Sequence, residues 1–301
     1  MTASTAAIET NRLTKRIGRA TLLHPIDLVV PRGAVVALVG HNGAGKTTLI
    51  KLLLNIQRPS GGAARVLGVP TQELRGEAFT RIGYVSENQE MPEWMTIAQV
   101  MGHLRPMYPR WNDEGLLEKL QLPPERKIMH LSRGMRMKAA LASVLSFGPE
   151  LLLMDEPFSG LDIAVRSELV QTLLDRTHAM ETTVVISSHD LEEVETFASH
   201  VAFLRAGKLL FAESIEVLQA RCREVTVTFR GNVAELAMAK LPAGCVAAEA
   251  SGAMLRFADT HVNVESHEEA IRAMMPDAVA VQSEAMTLRA IFLALNKAGE
   301  A

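Results

Sequence analysis

The run Gly40-His41-Asn42-Gly43-Ala44-Gly45-Lys46-Thr47-Thr48 lies between the apolar stretch 34–39 and the helix-favouring stretch 49–54. A buried strand that turns at once into a helix leaves few folds open. The pattern G-x-x-x-x-G-K-T at the turn narrows them to a phosphate-binding P-loop. Glycines at 40, 43 and 45 let the chain bend until successive N–H groups point inward, and the following helix adds the positive end of its dipole. Lys46 brings a compact charge to the β- and γ-phosphates of a nucleotide, and Thr47 brings a hydroxyl to the magnesium ion that bridges them. The nine residues Gly40 to Thr48 are therefore the candidate nucleotide-binding loop. A turn that merely joined strand to helix would have no use for the lysine.

At 301 residues the chain has room for about two domains, and a 48% hydrophobic composition supports a sizeable core. The formal charge is −3 and Lys/Arg blocks are absent, which argues against nucleic acid as a partner. Cys222 and Cys245 lack C-x-x-C spacing and read as reduced cytosolic thiols. No stretch approaches the ~18 apolar residues of a membrane span, so the chain is not expected to cross a bilayer itself.

Residues 1–220 alternate short apolar strands with helical patterns, the texture of an α/β domain with a mainly parallel sheet. The clearest strands are expected at 34–39, 82–85, 151–154 and 183–187. Between the second and third, about 88–148, helical patterns near 97–105 and 113–121 are punctuated by prolines and read as an inserted helical subdomain. Residues 221–301 change character: strand 225–229, helix 232–240, strands 244–249 and 253–258, helix 266–275 and strand 278–282. That order is the split βαβ pattern of a small α+β domain, followed by a terminal helix.

The apolar strand 151–154 ends in Asp155-Glu156. Beside a P-loop, the first carboxylate suits the metal and the second suits a general base acting on a water that attacks the γ-phosphate. An acidic capping turn is the plainer alternative for the dipeptide alone. The strand 183–187 delivers His189 to the same end of the sheet, where an imidazole can hydrogen-bond a phosphate oxygen. Ser132, in Leu131-Ser132-Arg133-Gly134-Met135, has the position of an N-cap and opens a second helix start that can receive an anion.

Taken in order, GHNGAGKTT, LSRGM, LLLMDEP, SGLD and SSHD resemble the nucleotide-binding subunits of ATP-binding cassette (ABC) transporters over residues 8–220. The resemblance implies a P-loop NTPase cassette that binds ATP with Mg2+ and hydrolyses it. It also implies that Ser132 and Gly134 act in trans on the γ-phosphate held by a second copy, giving an ATP-dependent homodimer. Asp162 falls in the family's D-loop and His189 at its switch histidine. Three departures stand out. Ile17 takes the place of the adenine-stacking aromatic, Glu87 that of the Q-loop glutamine, and Arg133 and Met135 replace the first glycine and the glutamine of the signature. Glu87 is thereby a candidate metal ligand beside Thr47 and Asp155. The C-terminal stretch 286–295 is similar to the closing helix of bacterial exporter ATPases, and 107–111 is similar to a stretch in exporters encoded beside GntR-type regulators. The expectation is an exporter ATPase, cytoplasmic and peripheral on the inner membrane, docked on integral-membrane subunits through residues 87–111. Alternatives are a soluble cassette ATPase acting on ribosomes or DNA, and an importer ATPase with a regulatory C-terminal domain.

Overall fold

The computed structural model describes residues 5–231, 234–239, 241–242, 244–262 and 267–297. Within them the chain divides into one unit up to Ala212 and a second from Glu213. The first unit opens with β1 (Ala6–Ile17), β2 (Ala20–Ile26), β3 (Val29–Pro31), β4 (Val35–Val39) and α1 (Lys46–Leu53). β5 (Gly61–Val66), β6 (Val69–Pro70) and β7 (Ile82–Ser86) follow; α2 (Ile97–Leu104), α3 (Leu116–Lys119) and α4 (Arg133–Leu145) then intervene before β8 (Leu151–Asp155). α5 (Ile163–Met180), β9 (Thr183–Ser188), α6 (Leu191–Glu195), β10 (His200–Arg205) and β11 (Lys208–Ser214) bring the chain to the boundary.

The central sheet has the order β11-β10-β4-β9-β8-β7, with parallel pairing from β10 through β7. Every residue of β8 and β9 is buried, as expected of parallel strands covered on both faces. Alternation along β8 sorts the core: Leu151 and Leu153 pack with Leu49 and Leu52 of α1, whereas Leu152 and Met154 pack with Leu141 and Leu145 of α4. Because the pairing is parallel, the carboxyl ends of β4, β8 and β9 meet at one edge, where α/β folds bind ligands.

The reading of residues 1–220 as one mainly parallel sheet holds for this sheet and leaves out a second. A five-stranded antiparallel sheet has the order β2-β1-β5-β6, with β3 added on β1. β1 hides its periodicity because its register with β2 shifts between Leu13 and Lys15 and again before Arg16, and Arg12 adopts a positive φ of 46°. In the helical region, Tyr108 stacks on Phe147 with ring centroids 4.0 Å apart, and Trp111 lies 6.1 Å from Tyr108. The aromatic members of the 107–111 stretch are therefore packing residues of that region.

The second unit comprises α7 (Ile215–Arg221), β12 (Arg223–Phe229), α8 (Ala234–Met238), β13 (Cys245–Ser251), β14 (Met254–Asp259), α9 (His267–Met274), β15 (Ala278–Ala285) and α10 (Leu288–Lys297). Its sheet runs β13-β14-β12-β15 with antiparallel neighbours, the arrangement that the β-α-β-β-α-β order produces. The boundary precedes the composition change near residue 220, because α7 goes with this unit: Arg221 bonds Glu213 and the Thr260 carbonyl. Residues 232, 233 and 240 of the helix expected at 232–240, and residue 266 of the one expected at 266–275, lie outside the described residues.

Candidate functional site

The P-loop is shaped by contacts that admit no side chain. A Cβ on Gly40 would lie 2.3 Å from the Leu204 carbonyl oxygen of β10. Gly45 has φ 106°, and a Cβ there would lie 2.5 Å from Leu23 Cδ2. Gly45 is also the N-cap of α1; no side chain caps it and the first turn carries no acidic residue. The N–H groups of that turn thus face the loop without a side-chain acceptor, the arrangement that receives an anion. Lys46 is buried, and its Nζ donates to the Gly40 carbonyl at 2.6 Å and the His41 carbonyl at 3.3 Å.

The carboxylates after β8 meet this loop directly. Asp155 is 7% exposed, and its Oδ1 accepts hydrogen bonds from the hydroxyls of Thr47 at 3.0 Å and Ser187 at 2.7 Å. The Ser187 Oγ in turn accepts from the Glu156 N–H at 2.9 Å. Glu156 adopts φ 49°, a left-handed conformation that costs a residue with a side chain about 1–3 kcal/mol, as occurs at functional sites. Its Oε1 lies 3.1 Å from Lys46 Nζ, and its Oε2 lies 2.8 Å from His189 Nδ1. The Lys46 contact is a charge pairing without hydrogen-bond alignment, since Oε1 is a buried oxygen with no hydrogen-bond partner. On the neighbouring β7, burial first and the Asp155 charge second push the Tyr84 phenol above its ordinary pKa.

A cavity of ≈ 690 Å3 lies over the loop, lined by Asn42 through Thr48 with Glu87, Glu156, Thr21, Leu22, Ala206 and Gly207. The structure thus brings together the loop, Asp155, Glu156 and, through Glu156, His189. Glu87 is at the rim, but its Oε1 accepts from Arg133 Nη2 at 2.8 Å, so that oxygen faces α4 instead of joining Thr47 and Asp155. Ile17 is 59% exposed at the β1–β2 turn and does not line the cavity; Thr21 and Leu22 of β2 do. Ser132, Gly134 and Asp162 do not line it either. Ser132 Oγ caps α4 by accepting from the Met135 N–H at 3.3 Å. Gly134 lies against Val165, and Asp162 caps α5 through the Val165 N–H at 3.0 Å.

The residues that sequence reasoning missed are Ser187, Arg133 as the partner of Glu87, and the Ala206-Gly207 turn. Ser187 had a signal: it is polar in an apolar strand, and it pairs with Asp155 in the β8–β9 register. The turn has positive φ at both residues, 46° and 75°, as in a tight type I′ hairpin, and Gly207 N–H donates to the Ala44 carbonyl at 3.0 Å.

A family model described as ABC transporter matches residues 23–159. The bacitracin transport ATP-binding protein BcrA of Enterococcus faecalis is 34% identical over 224 residues, 73% of each chain. YtrB, an ABC transporter ATP-binding protein of Bacillus subtilis, is 28% identical over 75% of this chain and 78% of its own. The Fe(3+) ions import ATP-binding protein FbpC 1 of Rhodococcus jostii is 34% identical over 68% of this chain and 61% of its own. Among solved structures, an ATP-binding subunit of an ABC transporter superposes with a TM-score of 0.66 at 24% identity, over 71% of this chain and 92% of that one. The cassette MJ0796, in a dimeric post-hydrolysis state bound to ADP and Pi, superposes with a TM-score of 0.61 at 22% identity, over 69% and 98%.

Proposed function

The chain belongs to the ATP-binding cassette transporter family as an ATP-binding ATPase subunit, and from that premise we propose that it drives export through separate membrane subunits. The observation that carries the catalytic part is the run of contacts Lys46–Glu156–His189 beside Thr47–Asp155. In this reading the N–H groups of residues 40–48 and the start of α1 bind the phosphates. The hard oxygen donors Thr47 Oγ1 and Asp155 suit Mg2+, which takes one or two protein oxygens and completes its shell with phosphates and water. The cation would supply charge neutralisation along the triphosphate. Lys46 exchanges the Glu156 carboxylate for phosphate oxygens when nucleotide enters. Glu156 Oε1, already buried without a hydrogen bond, is then available to accept a proton from water. His189, bonded to Glu156 through Nδ1, orients that carboxylate and presents the other ring nitrogen toward the γ-phosphate.

A second copy completes the site in this proposal, its Ser132, Gly134 and Asp162 segments facing the nucleotide held here; MJ0796 is a family member seen as a dimer. The membrane subunits are proposed to dock on residues 87–111, which places the chain on the cytoplasmic face of the inner membrane. Export is favoured by the likeness to the bacitracin transport subunit. The second reading is an importer ATPase whose last 80 or so residues regulate it, and likeness to the iron(III) and sulfate/thiosulfate import subunits favours it. Tagged full-length chain, purified with its membrane subunits and reconstituted into inside-out vesicles, separates the two. The export reading expects ATP-driven uptake of a compound from a panel of peptide antibiotics, abolished by Glu156→Gln. Substrate movement only with an added extracytoplasmic binding protein, and in the opposite sense, supports import.

A further inference from the structure

Two positions at which the chain departs from the family's pattern meet in space. Glu87 Oε1 and Arg133 Nη2 are 2.8 Å apart, although 46 positions separate them in sequence. Glu87 borders the phosphate cavity, and its N–H is fixed to the Asp155 carbonyl at 2.9 Å, so its carboxylate hangs from the strand that carries the acidic pair. Arg133 occupies the first turn of α4, where the helix dipole disfavours a cation and draws in an anion. Its guanidinium also lies against Gly160, where a Cβ would sit 2.8 Å from Nη1; the positive φ of 66° and the missing side chain make the room. The two side chains are 54% and 36% exposed, so solvent screens the pair and its contribution to fold stability is small.

We infer that Arg133 is a positioning residue for nucleotide binding. It neutralises Glu87 and keeps that carboxylate engaged with α4, so that a site with a glutamate at its rim still accepts a triphosphate. The inference rests on the nucleotide reading above. Removing Arg133 leaves a bare negative charge beside the phosphates, which repels ATP more than ADP because ATP carries the additional phosphoryl group.

The test is equilibrium binding of ATP and of ADP, with and without Mg2+, to the full-length parent, Arg133→Ala, Arg133→Lys, Glu87→Gln and the double variant Glu87→Gln/Arg133→Ala. Arg133→Ala is expected to weaken ATP about tenfold and ADP no more than about threefold. Adding Glu87→Gln recovers most of that loss, and Arg133→Lys keeps ATP within about threefold of the parent. Glu87→Gln alone tightens ATP, which keeps the inference testable if Arg133→Ala misfolds. A double variant as weak as Arg133→Ala, equal losses for ATP and ADP, or weaker ATP binding by Glu87→Gln overturns the inference and leaves the nucleotide reading standing. A parent that binds neither nucleotide overturns both.

Discussion

The starts of α1 and α4 are the two helix starts that the sequence offers to an anion, and they are built in opposite ways. α1 begins at Gly45, with no side-chain cap, a buried lysine and a loop held open by glycines. α4 begins at Ser132, whose hydroxyl already accepts the Met135 N–H, and an arginine follows that is paired with Glu87. The first end therefore presents its N–H groups to a ligand at rest. At the second, one of these N–H groups, that of Met135, is already taken by the serine, whose own O–H remains able to donate to an anion. The α1 end thus opens onto the cavity of its own chain, whereas Ser132 and Gly134 at the α4 end do not line that cavity.

The strongest way to break this contrast is to disable the open end. Lys46→Ala removes a charge and also the donor that clasps the Gly40 and His41 carbonyls, so ATP binding should weaken by at least about a hundredfold, roughly 2.7 kcal/mol, in an equilibrium titration. A loss below tenfold would mean that the N–H groups of α1 suffice alone. Next in size is Glu156→Gln, expected to lower turnover about a hundredfold or more while ATP binding stays within about threefold. Steady-state hydrolysis and titration of the same preparation check the separation; parental turnover in Glu156→Gln removes the base from the scheme.

The capped end is probed in that Glu156→Gln background. Sedimentation with ATP should show a dimer that Ser132→Arg abolishes, with nucleotide binding by the monomer little changed. A Ser132→Arg protein that still associates on ATP would show that the capped helix start takes no part. Ser132→Ala, which removes only the cap, should destabilise the fold by about 0.5–2 kcal/mol in a denaturant melt. Smaller still is base selectivity. Ile17 is exposed, does not line the cavity and offers a base only apolar contact, so GTP should compete with ATP within roughly tenfold; a preference of a hundredfold would place a base-recognising group elsewhere on the chain. The smallest expected signal is thiol reactivity. Burial pushes Cys222 to about 11 and Cys245 to about 12, so at pH 8, below both values, each is almost wholly the unreactive thiol. Maleimide labelling of native protein should be slow and should quicken on unfolding. Ser132→Cys would then label as an addressable reporter of the capped end.

What could be read in advance follows from how local each feature is. The P-loop, Asp155-Glu156 and His189 each sit within a few residues of the strand that presents them, and parallel pairing alone brings those strand ends together. The split βαβ order of the second unit was legible for the same reason. The antiparallel sheet was not, because the bulges in β1 break the alternation that marks a strand. Nor was the Glu87–Arg133 pair, whose members are joined by the packing of the helical region and by no periodicity. Ile17, expected at the nucleotide from its place in the motif order, is exposed at the β1–β2 turn, and Thr21 and Leu22 line the cavity.

The close approach of Gly40 to the Leu204 carbonyl bears on synthesis as well as on shape. The P-loop emerges early from a ribosome, yet β10 and the Ala206-Gly207 turn that clasp it lie about 160 residues later. At roughly 5–20 residues per second, the growing chain spends on the order of 10–30 s with the phosphate loop made and its clasp missing. The nucleotide grip is thus a late event in the life of the nascent chain. A ribosome-bound chain truncated between α5 and β10 should carry the whole motif and bind no nucleotide.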